Sequence, residues 1–98
     1  FLSNNYLKAV EYLIEALYDV FSQLLSKLSL NLKYLNIVDM GYLLEKNGIK
    51  LDLSKPAYTI NTLRLKLLTK VNVDRKEVSD AINLTKRLVE SCKEAKVS

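Results

Sequence analysis

The stretch Leu7 to Leu28, LKAVEYLIEALYDVFSQLLSKL, decides how the chain folds. Leu7, Val10, Ile14, Leu17, Phe21, Leu24 and Leu28 follow one another at steps of 3, 4, 3, 4, 3 and 4 residues, which holds them on one face of a helix. Lys8, Glu11, Glu15, Asp19, Ser22 and Ser26 make a polar stripe with the same rhythm. The spacing predicts one long helix from about Asn5 to Leu28. Leu13, Val20 and Leu25 broaden its apolar face beyond a narrow seam, so it should pack against two neighbours rather than one.

Outward from this helix the same period restarts three times. Leu35, Val38, Tyr42 and Leu43 predict a second helix over about Leu32–Asn47, stopped by Gly48, whose residue type tolerates a left-handed backbone. In GIKLDLSKP the alternation of Ile49, Leu51 and Leu53 with polar residues describes an extended connection pinned to the core. Ser54 then reads as a cap, with Pro56 in the first turn of a third helix running to about Lys70 and burying Ile60, Leu63, Leu67 and Val71. A break at VNV follows. Asp74 and Glu77 have capping-box spacing, and Val78, Ala81, Ile82, Thr85, Leu88, Val89 and Cys92 mark a fourth helix to about Glu94. Four helices with short connections imply an all-α, antiparallel four-helix bundle, and we expect residues 1–98 to form one domain.

Composition narrows the functional classes. Of the 98 residues, 49% are hydrophobic and 27% charged, a globular balance rather than a disordered or fibrous one. One cysteine rules out an intrachain disulfide and points to a reducing compartment. No apolar run has the length of a membrane span, and nothing near the start reads as a cleavable leader. We therefore expect a cytoplasmic protein with no membrane partner. The net charge of +4 is unevenly placed: residues 54–73 hold Lys55, Arg64, Lys66 and Lys70 and no acid. Lys55, Lys66 and Lys70 are thus candidate contacts to nucleic-acid phosphates.

The candidates for chemistry are few. With no histidine in the chain, imidazole catalysis and histidine metal ligation are excluded. The two glycines, Gly41 and Gly48, are isolated and build no phosphate loop. Cys92 falls on an apolar stripe, as a core thiol does. Glu11, Glu15 and Asp19 share a helix face at four-residue steps, the pattern of a solvated acidic ladder rather than a cation site. The six tyrosines are scattered and flank apolar stripes, so we expect them to pack with their hydroxyls at the rim. We expect no catalytic residue, metal or cofactor. Arg64 is the residue that demands a partner, because it stands among Ile60, Leu67 and Leu68, and a buried unpaired charge costs several kcal/mol. Asp39, flanked by Leu35 and Leu43, is the expected carboxylate within the chain, and the alternative is an acid across a subunit interface.

From YLLEKNGIKL onward, and above all in LRLKLLTKVNVDRKEVSDAINLTKRLVE, the chain resembles the HEPN superfamily of small antiparallel helical bundles of bacteria and archaea. The resemblance covers roughly the last 60 residues. It implies a bundle that often dimerises and works beside a nucleotidyltransferase or another nucleic-acid-linked partner. Arg64 falls at the family's arginine position. Where active family ribonucleases carry a histidine with four to six residues between it and the arginine, this chain has Thr69, Lys70 and Val71. The expectation is a non-catalytic protein-binding and assembly module, as a homodimer or hetero-oligomer. The alternatives are a small basic nucleic-acid-binding subunit and, further off, an atypical ribonuclease around Arg64.

Overall fold

The computed structural model describes residues 2–30 and 35–95, and side chains from Asn5 onward. Its elements are α1 (Leu2–Lys27), α2 (Ile37–Lys46), α3 (Ser54–Leu68) and α4 (Arg75–Glu94), with no strand among the described residues. The predicted face of α1 is the buried one: Val10, Leu17, Phe21 and Leu25 are fully enclosed, Leu24 nearly so, and Leu7, Ile14 and Leu28 pack on them at the margin. That face serves three neighbours, not two. α1 packs on α2, α3 and α4, and α2 packs on α3; α3 and α4 meet only lightly, and α2 and α4 do not touch among the described residues. The bundle is therefore flattened, with extents of 45 × 25 × 17 Å.

α2 begins later than its apolar rhythm suggests. Leu35 and Asn36 precede the helix, and residues 32–34 of the expected span lie outside the described residues. Asn36 is the cap, its side-chain oxygen accepting the Asp39 amide at 2.9 Å.

The start of α3 is built differently from the expected serine cap. Leu53 occupies the cap position and makes no side-chain bond, and Ser54 is already helical. The acceptor is Glu45, near the end of α2: its Oε2 accepts the amides of Leu53 at 2.7 Å and Ser54 at 2.8 Å, and the Ser54 hydroxyl donates to Oε1 at 3.0 Å. A carboxylate suits a helix start, where free amides and the helix dipole both favour negative charge. One turn before Glu45, Gly41 lets the two backbones meet. A Cβ at Gly41 would lie 3.0 Å from the Leu53 carbonyl carbon and 3.1 Å from the Ser54 nitrogen.

α4 begins as its sequence implies, with Asp74 accepting the Glu77 amide at 3.1 Å. The Glu77 side chain does not complete the box and reaches Lys66 instead. Within α4, Thr85 is buried and donates its hydroxyl to the Ala81 carbonyl at 2.8 Å.

α1, α2 and α3 all end in one way. A residue with positive φ (Ser29 at 58°, Gly48 at 100°, Lys70 at 61°) is followed by one whose amide reaches back to close the last turn. These closing bonds are Leu30 to the Leu25 carbonyl, Ile49 to Leu44 and Val71 to Lys66, each near 3 Å. This is the Schellman arrangement. At α3 it overturns an expectation: the turn at Lys70 takes the chain off the helix, so Val71 is 52% exposed rather than buried.

Candidate functional site

Arg64 lies on the side of α3 that faces α1, and its carboxylate is Glu11, with Nε 3.7 Å from Oε2. The expected partner, Asp39, is elsewhere. It stands exposed in the first turn of α2, and with Tyr42, Lys55, Tyr58 and Thr59 it lines a different cleft, of about 510 Å³. The reason is geometric: the flank of α3 that carries Arg64 lies against α1, so an acid of α1 comes within reach. With side chains 37% and 46% exposed, the Arg64–Glu11 pair contributes about 0–1 kcal/mol. Arg64 and Glu11 border an open cleft of about 430 Å³ together with Glu15, Tyr18, Asn36 and Asn61.

The three candidate lysines do not form one patch. Lys55 is exposed in the first turn of α3, beside Glu45. Lys66 is paired with Glu77 of α4 at 3.5 Å. Lys70 is exposed just past the helix, roughly 20 Å from Lys55 at 1.5 Å per residue.

Groups able to do covalent chemistry are scarce. Cys92 is buried, and desolvation pushes its thiol up to about 11, which keeps it protonated and unreactive at neutral pH. Glu45 moves the other way. Burial raises its pKa, but the amides of Ser54 and Leu53, the Ser54 hydroxyl and the nearby Lys55 together lower it by more, so it titrates below the usual 4.5. That carboxylate is wholly occupied in holding α3. Among the described residues no group of three or more acidic or cysteine side chains stands close enough to hold a metal ion.

What the structure does bring together is apolar surface on the wrong side of a helix. α3 buries Ile60, Leu63 and Leu67 on its inner side, as expected, and Ala57 with them. Its outer side carries Tyr58, 63% exposed, Leu65, 50%, and Leu68, 46%, with Val71 just beyond. Four of the six tyrosines depart from rim packing: Tyr12, Tyr18, Tyr42 and Tyr58 are substantially exposed, whereas Tyr6 packs against the core at its margin as expected, and Tyr34 lies outside the described residues. Tyr42 and Tyr58 line the same cleft as Lys55, and the Lys46 ammonium sits 5.5 Å from the Tyr42 ring centre. Helical spacing could have revealed the outer stripe, since Tyr58, Leu65 and Leu68 stand at i, i+7 and i+10. The Tyr42–Tyr58 cleft needs the packing of α2 on α3.

Among the described residues no helix is long and apolar enough to cross a membrane. Compared with known proteins, the chain matches no family model, no curated protein and no solved structure.

Proposed function

We propose that this chain is a non-catalytic, HEPN-like antiparallel bundle that serves as a protein-binding and assembly module in a nucleic-acid-linked complex, for example beside a nucleotidyltransferase partner. The observation that supports this reading is α3, apolar on its outer side as well as its inner one. Large apolar residues left exposed on the outer side of a packed helix mark a surface that another protein can cover. The chemistry of the chain agrees: it has no histidine, and its cysteine is buried and protonated. Sedimentation of the pure protein, alone and with cell extract fractionated by size, tests the reading through Leu65→Glu/Leu68→Glu. The double variant should remain folded by circular dichroism and lose the larger assembly. An assembly unchanged by it would refute a binding role for α3.

A second reading, a nucleic-acid-binding accessory subunit, is favoured by the cleft between α2 and α3. Two exposed tyrosines and Lys55 line it, and a base stacked on tyrosine contributes about 1–3 kcal/mol. Its test is the binding of a short single-stranded RNA at two salt concentrations, with Tyr42→Ala/Tyr58→Ala expected to weaken it. Loss of binding in Lys66→Ala and Lys70→Ala alone would move the contact to the far end of α3.

A further inference from the structure

We propose that the outer side of α3 seats an acidic amphipathic helix of a partner protein. This rests on the assembly reading above and names its partner. Tyr58, Leu65 and Leu68, with Thr62 between the first two and Thr69 just past the last, form one seam along the helix, and the exposure of the three large residues leaves it open. Such a seam accepts a second helix whose own apolar residues recur at i, i+3/i+4 and i+7.

Charge selects which helix. Arg64 stands on one flank of the seam and Lys66 on the other, with Lys55 and Lys70 toward its two ends, and residues 54–73 contain no acid. Arg64 and Lys66 have Glu11 and Glu77 as their carboxylates, at 3.7 and 3.5 Å, both long for an ion pair, and all four side chains are partly exposed. Each cation can therefore accept a further carboxylate. A second copy laid α3 on α3 would bring four cations against four, which opposes a homodimer on this face. A nucleic acid would share the attraction, but of the three large residues in the seam only Tyr58 offers a flat ring for a base, and Leu65 and Leu68 do not.

The test uses the full chain and a fluorescein-labelled synthetic helix of about 20 residues, with leucines along one face, glutamates on its flanks and alanines elsewhere. Two control peptides share its length: one with the leucine positions scrambled, one with lysine replacing glutamate. Anisotropy at about 0.05 and 0.3 M salt should show binding of the acidic helix only, weakened about tenfold or more by salt. Leu65→Glu/Leu68→Glu should weaken it about 100-fold, since two apolar anchors are lost and two like charges added. Tyr12→Glu, at an exposed position of α1, should leave it unchanged. Equal binding of the scrambled helix, no binding at all, or indifference to the α3 variant overturns the proposal. If the peptide fails but the α3 variant dissolves a self-association of the protein alone, the occupant is a second copy and the assembly reading survives. If the variant instead abolishes binding to RNA or to phosphatidylserine vesicles while the peptide fails, both the proposal and the assembly reading fall.

Discussion

Lys70 holds a backbone conformation, φ 61°, that its side chain disfavours by about 1 kcal/mol. The closing bond from the Val71 amide to the Lys66 carbonyl at 2.9 Å keeps it there. Lys70→Gly should raise stability by about 0.5–1 kcal/mol, read as a Tm higher by a few degrees, whereas Lys70→Ala removes the same charge without the gain. A matching rise in both variants would assign the effect to charge instead of backbone. Arg64, by contrast, is not the buried anchor that its leucine neighbours suggest. Its stem lies along apolar surface while the guanidinium stays partly in water beside Glu11, so no large desolvation penalty has to be offset.

The join between α2 and α3 shows best how two elements depend on each other. Glu45 holds the first amides of α3 and Gly41 makes room for them, one helical turn apart on the same face of α2. Because the folded pKa of Glu45 is depressed, its contribution is fully present above about 4.5 and lost as pH falls through the lower folded value. Glu45→Gln should therefore be less stable than wild type by about 1 kcal/mol at pH 7, with the gap closing toward pH 3 in chemical denaturation. A gap that stays constant with pH would show that packing, not charge, matters at this position. Gly41→Ala gains up to about 1 kcal/mol in helix propensity, yet its methyl group meets backbone that Glu45 holds in place. The net expectation is a loss of about 1–2 kcal/mol in the same assay. Little of this was legible in the chain. The face of α1, the cap at Asp74 and the stop at Gly48 were readable because each is written in neighbouring residues at fixed spacing. Glu45 acts on residues eight and nine positions away, Arg64 on an acid in another helix, and Ser29 and Lys70 have no residue type that announces a left-handed turn.

At the scale of the molecule, α1 is the element that every other helix leans on. No imidazole is available to act as general acid or base beside Arg64, so pure protein should cleave single-stranded RNA no faster than buffer does. Cleavage that Arg64→Ala abolishes would restore the ribonuclease alternative. The same arrangement has a dynamic consequence. Since α4 rests on α1 with only slight help from α3, detaching it breaks one main interface and leaves the α1–α2–α3 cluster whole. The bundle should then open in two steps of unequal cost. In native-state hydrogen exchange, amides near the middle of α4, around Thr85, should exchange at a lower opening free energy than those around Leu17 or Ile60, which wait for the whole molecule to unfold.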